Sequence, residues 1–367
     1  MNNNKGDLLD KSSLIYIIIS ASLFGISPPL AKLLVNNISP VVLAGLLYLG
    51  AFAGLSLYSL VRRKRTIDLT KKAASLERKD LPWLAGAVLT GGIIAPISMM
   101  IGLTFISGFS ASLLLNLEGV ATTMIAVLFF KENAGKRLWL ALVCMTLAGI
   151  FLTWDSSQGR FSITGPLLII FAMVCWGIDN NLTHSISDKD PVQIAKIKGF
   201  AAGIISLLLG LFLGMKIPLD LAVAFALLLG SFSYGISLVF FIKALEGLGS
   251  SRTGIFFSFA PFIGAIASLI ILREWIGWVM FPATGLMIIG VWLIVTERHS
   301  HLHIHRTKTH IHLHDHSDMH HKHECSGTFH EPHTHEHIHI ELAHVHVHWP
   351  DTHHRHEHET YNEENPI

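Results

Sequence analysis

The chain has 367 residues, of which 51% are hydrophobic and only 14% charged. A soluble domain carries about 25% charged residues, so the composition argues against a soluble enzyme. The net charge of +1 conceals two opposed parts: residues 1–298 hold 23 Lys/Arg against 15 Asp/Glu, and residues 299–367 hold 4 against 11. The same boundary separates one histidine, His184, from the other 23. Cys144, Cys175 and Cys325 are too dispersed for a disulfide framework or a CxxC zinc site.

A bilayer-spanning helix needs about 20 apolar residues. After a short N-terminal segment (1–12), such stretches recur at 13–35, 38–61, 82–104, 107–130, 136–154, 164–185, 191–214, 219–242, 250–272 and 276–297. The first contains Pro28-Pro29 and lacks a small-residue cleavage site, unlike a cleaved signal. Eight Lys/Arg lie between Arg62 and Lys79, and positive loops stay cytoplasmic. The N-terminus then shares that side with Lys131, Lys136, Arg137, Lys189, Lys243 and Arg252. Only Lys32, Arg160, Lys216 and Arg273 fall outside. An even number of spans returns the tail to the cytoplasm, giving a multi-pass protein of the inner or plasma membrane.

The two halves repeat at an offset of about 142–151 residues. SASLLLNLEGVATTMIAVLFFKE ends at Glu132 and RTGIFFSFAPFIGAIASLIILRE at Glu274, with breaks expected at Gly119 and Pro261. Trp139 and Trp278 follow, then Gly149 and Gly290. Five spans per repeat force the second copy to insert upside down, a construction recurrent in secondary transporters. The expected fold is all-α and integral to the membrane: ten transmembrane helices in two inverted repeats (13–154 and 164–297), then a disordered His-rich tail (299–367).

This pattern, with its paired Lys131-Glu132 and Arg273-Glu274 endings, resembles the EamA branch of the drug/metabolite transporter superfamily over residues 13–297. The resemblance implies a carrier working by alternating access, commonly an exporter of metabolites or amino-acid-like solutes. The first repeat departs from the family-like Phe259-Ala260-Pro261 by having Leu117-Glu118-Gly119.

A carboxylate within a span costs about 2.5–3.5 kcal/mol on insertion scales, so it faces a cavity or a partner. Glu118 is the sharpest case, able to take a proton, a cationic substrate or a metal, or to serve as a structural acid. Asn116 lies two positions away, on nearly the opposite helix face. In the sixth span Trp176 and Asn180 share a stripe with His184, beside one carrying Cys175, Asp179 and Thr183. Glu118, Asp179, Asn180, Trp176 and Asn116 are the candidate pathway residues. Lys196 and Lys198 read as interfacial anchors, and Lys32 as a snorkelling side chain at an outer helix end. Gly50-x-x-x-Gly54 and Gly210-x-x-x-Gly214 read as close helix packing. Pro96 and Pro261 are expected to unwind their helices locally.

The tail alternates histidine with other residues, which would put imidazoles on one face of an extended strand. It is expected to be disordered when empty and to fold into short β segments around metal. The candidate ligands are His301, His303, His305, His310, His312, His314, His316, His333, His335, His337, His339, His344, His346, His348, His353, His354, His356 and His358. Imidazole suits Zn, Ni, Co or Cu. A proton-sensing tail that docks on the anionic leaflet is a further reading.

These observations define a secondary-active transporter, with metal binding on the tail and no cofactor required by the body. The alternatives are a divalent transition-metal (Zn/Ni/Co) carrier and a non-transporting membrane metal sensor or store. Enzymatic function is not supported, since neither a P-loop nor an HExxH motif is present. The expected partners are the lipid bilayer, a small-molecule substrate and metal ions, with a homodimer left open and nucleic acid excluded.

Overall fold

A computed structural model describes residues 11–65, 76–130, 136–153, 163–186, 189–218, 220–275 and 277–296, with four tail segments, 299–305, 308–314, 333–339 and 342–348. The chain divides into two units, one comprising residues 1–67 and 76–296 and the other residues 68–75 and 297–367.

The first unit is helical: α1 (Lys11–Gly25), α2 (Ser27–Leu34), α3 (Pro40–Arg65), α4 (Leu81–Ala87), α5 (Ala95–Leu103), α6 (Gly108–Leu114) and α7 (Leu117–Phe130). It continues through α8 (Lys136–Thr153), α9 (Thr164–His184), α10 (Pro191–Phe212), α11 (Leu221–Gly230), α12 (Ser237–Phe257), α13 (Ala260–Ile271) and α14 (Met280–Val295). Among the described residues, seven stretches are long and apolar enough to cross a membrane: Ser12–Leu34, Pro40–Val61, Arg78–Leu103, Thr164–His184, Pro191–Phe212, Leu221–Leu245 and Arg252–Ile271. Apolar α8 and α14 and the split pair α6/α7 complete the helical set described. Large apolar side chains such as Leu57, Phe225, Ile270 and Phe281 face outward and stay exposed, as a lipid-solvated surface requires.

The first repeat breaks at Leu115–Asn116, one helical turn before the glycine expected to interrupt it. Gly119 lies inside α7, because open space around it neither demands nor rewards a bend. In the second repeat the break precedes Pro261, which takes a first-turn position of α13 where its missing N–H costs nothing.

Two π-helices occupy matching places in the repeats, Val88–Ile94 between α4 and α5 and Ser231–Ile236 between α11 and α12. Pro96 follows the first by two residues and cannot donate to Gly92, so the preceding turn widens. The second widens without a proline. Phe241 and Phe257 of α12 meet edge to face at 5.0 Å. A straight helix would separate them by about 24 Å, so α12 doubles back between those rings.

Helix crossings join the halves. A Cβ on Gly50 would lie 2.2 Å from the Leu227 carbonyl oxygen, and one on Gly230 2.0 Å from that of Leu47. Gly214 has a different role from the packing one read in the sequence. At φ +75° it stops α10, with Met215 N–H donating to Gly210 O and Gly214 N–H to Leu211 O.

In the described tail segments, β1 (His299–His305) pairs antiparallel with β4 (Leu342–His348), and β2 (Lys308–His314) with β3 (His333–His339). Alternation of β-branched or leucine residues with histidine follows the period-two pattern of strands.

Candidate transport pathway

α9 carries or adjoins much of the polar network described in the body. Near its first turn, Gly102 and Ile106 pack against Gly165 and Ile169. Here α6 begins, and the Glu274 carboxylate accepts hydrogen bonds from the backbone N–H groups of Gly108 (2.7 Å) and Phe109 (2.9 Å). Arg273, just before Glu274, has φ 52°, a left-handed conformation that costs a non-glycine residue roughly 1–2 kcal/mol. That turn aims Glu274 across the repeat boundary. Lys32 donates to the Leu103 carbonyl and lies in the field of Glu274, so it has partners rather than only a snorkelling role.

Further along α9, Trp176, Asp179 and Asn180 project towards three different elements. Trp176, buried, donates its indole N–H to the Gly91 carbonyl at 2.9 Å, and the buried Tyr48 hydroxyl donates to the same oxygen. Gly91 belongs to the first π-helix, whose widened turn leaves that carbonyl available to side chains. Gly91 must also be glycine for space, because a Cβ there would sit 1.9 Å from Asp179 Oδ2.

Asp179 is 4% exposed and accepts from Thr183 Oγ1 at 3.1 Å. Its other carboxylate oxygen pairs with the ammonium of Lys198 from α10. Lys198 is therefore not the interfacial anchor that its position suggests. It lies about two turns into α10, where bending towards Asp179 replaces the route to water.

Asn180 turns the other way. Its Nδ2 donates to Glu118 Oε1 at 2.9 Å and to Thr122 Oγ1 at 3.1 Å. Gly177 permits this, since a Cβ there would meet Thr122 N at 2.9 Å and hold α7 away from α9. Glu118 is half-buried and interacts electrostatically with both Asp179 and Lys198. Asn116 stays apart: it is buried in the α6/α7 break and donates to the Leu113 carbonyl at 3.1 Å. His184 ends α9, half-buried.

An aromatic group from both repeats adjoins this cluster. Tyr48 and Tyr234 stack with centroids 6.1 Å apart, Phe24 meets Tyr234 edge-on at 6.0 Å, and Ser27 Oγ donates to the Tyr234 hydroxyl at 2.8 Å. Tyr234 comes from the second π-helix, and its hydroxyl lies within the field of Glu118. Beyond the end of α9, buried Lys189 lies 3.4 Å from Glu77 and 3.6 Å from the buried Asp80, with Lys79 on the other Glu77 oxygen at 2.9 Å. Lys79 and Lys189 hold the Glu77 carboxyl below the usual carboxylate range.

Sequence reasoning missed Lys198, Tyr48, Thr122 and Tyr234. A lysine deep enough in an apolar helix to need a partner was the available signal for Lys198; the others carry none. Among the described side chains, no group of three His, Cys, Asp or Glu converges where a metal ion would sit.

The apolar helices, several long enough to span a bilayer, define a polytopic membrane protein with charged and aromatic side chains gathered in its interior. The profile of the EamA-like transporter family matches residues 11–154 and again residues 163–296, and the chain belongs to that family. It is similar to an uncharacterized transporter of Methanothermobacter thermautotrophicus, 29% identical over 277 residues, 71% of this chain and 79% of that protein. It is also similar to a crystal structure described only as that of a protein, with a TM-score of 0.54 and 17% identity, covering 78% of this chain and 98% of the other. That likeness concerns the fold alone.

Proposed function

We propose that the body is a secondary-active exporter of a small metabolite or amino-acid-like solute, built as ten spans in two inverted five-helix repeats. The observation that carries this reading is the joined pair of networks, Glu118–Asn180–Thr122 and Asp179–Lys198, walled by Trp176, Tyr48 and Tyr234. A solute bearing an ammonium and a carboxylate would find both counter-charges here and an apolar wall between them. Glu118, Asp179, Asn180 and Trp176 line the pathway, while Asn116 shapes the break beside it. Alternating access then works between two ends, the Glu274–Gly108 contact at one and the Lys189–Glu77–Asp80 cluster at the other. The positive loop at 62–79 and both termini lie in the cytoplasm.

The candidate tail histidines take up divalent metal such as Zn, Ni, Co or Cu, and the body works without a cofactor. The metal-carrier alternative is favoured by the tail but not by the body, where ligand types are dispersed.

Proteoliposomes containing the full chain, or residues 1–298 alone, are loaded with a panel of amino acids and with Zn²⁺ or Ni²⁺, and efflux is followed. Solute efflux by both forms is the expected result. Efflux of metal alone would establish a metal carrier, and absence of any flux would favour a membrane metal sensor or store.

A further inference from the structure

We infer that the tail holds d-block divalent cations in cross-strand histidine ladders, so that its metal sites are defined by strand register and not by histidine content. The inference rests on the reading that the tail binds metal, and goes beyond it by assigning the residues that act together.

In the β1·β4 ladder, His299 is opposite His348, His301 opposite His346 and His303 opposite His344. In the β2·β3 ladder, His310 is opposite His337, His312 opposite His335 and His314 opposite His333. Directly opposed positions in an antiparallel pair have Cα atoms about 4.5–5.5 Å apart and share a face. The next pair along that face is about 6.8 Å away. Two neighbouring pairs thus place four histidines within one patch, the number a tetrahedral Zn²⁺ site takes. The positions between them match Leu302 with Val345, Ile304 with Ala343 and Ile311 with Glu336.

The two ladders have the same pairing offset, since three positions separate His305↔Leu342 from Lys308↔His339 on each strand. The histidines nevertheless shift from odd to even positions between β1 and β2. With a side-chain period of two, the ladders are two separate sets. An isolated two-stranded ribbon is marginal in water. Metal bridging opposed strands adds its binding free energy to the paired state, and protons compete for the same ligands.

The test keeps composition constant and changes only register. In the full-length protein in detergent, a β1 swap variant carries His301→Leu, Leu302→His, His303→Ile and Ile304→His. A rescue variant adds Ala343→His, His344→Ala, Val345→His and His346→Val, which restores opposed histidines at 302↔345 and 304↔343. Zn²⁺ and Ni²⁺ titrations are followed by calorimetry at pH 7.5. The β1 swap should weaken the sites of the first ladder by about a hundredfold, because linked ligands gain that much from being held together. The rescue should restore them. Equal affinity and stoichiometry in all three proteins would overturn the ladder while leaving metal binding by the tail intact. Absence of binding by the unaltered protein would overturn both readings.

Discussion

Lys198 of α10 pairs its ammonium with the carboxylate of Asp179 on α9, and Asp179 in turn occupies the space that a side chain at Gly91 would need. One ion pair therefore ties three helices together inside an apolar bundle. The carboxylate is buried and the lysine largely so, and the strength of the arrangement lies in its completeness.

Removing one member should cost more than removing both. Asp179→Leu strands the Lys198 cation, and breaking a buried pair in this way costs about 3–5 kcal/mol. The double variant Asp179→Leu/Lys198→Met has no stranded charge and should melt closer to the unaltered protein. Thermal unfolding of the four members of this cycle in detergent measures the coupling, and additive effects would show that the pair is not a unit.

Gly91→Ala should disturb the same pair by steric means. The new methyl would lie 1.9 Å from Asp179 Oδ2 and 2.2 Å from its Cγ. Gly119→Ala is the matched control, because nothing lies within 4 Å of a Cβ there, and helix propensity should favour it by about 1 kcal/mol. Melting temperature should fall for the first variant and hold or rise for the second, with solute efflux lost only in the first.

Glu118→Gln keeps an oxygen for Asn180 to donate to, so folding should be unaffected. What disappears is a group able to carry a proton through the cycle. Efflux driven by an imposed pH gradient should stop, while solute exchange down its own gradient continues. Full gradient-driven activity in the Gln variant would show that Glu118 has no coupling role, and loss of exchange as well would make it a direct substrate contact.

The Glu77 cluster predicts a pH dependence at the other end of the body. Lys79 and Lys189 favour the charged carboxylate and hold it below its usual range. A depressed folded-state value contributes stability above the unfolded value of about 4.3, and that contribution fades as pH falls through the folded value. Glu77→Gln should therefore lower the melting temperature at pH 7 and converge with the unaltered protein at strongly acidic pH. A constant difference across that range would remove the ion pairs from the account.

Glu118 and Asp179 stand out in the sequence because a charge in a long apolar run is costly wherever the chain folds. The duplicated Arg-Glu and Lys-Glu endings likewise carry the family pattern without coordinates, and the alternation of the tail sets its strands. These are properties of one segment and its solvent. The partnership of Lys198 with Asp179 is different, since a lysine near a helix end has two outlets, water or a partner, and only the position of α9 selects between them. Asn116 and Asn180 look equivalent in sequence, yet one closes a helix break and the other reaches Glu118, because Gly177 lets α7 and α9 meet at that level. The reversal within α12 falls between the spans read at 219–242 and 250–272, whereas the reach of Glu274 to Gly108 was hidden, because it depends on elements distant in sequence that meet only when the bundle packs. Local cost fixes which side chains need an explanation, and tertiary packing decides which partner supplies it.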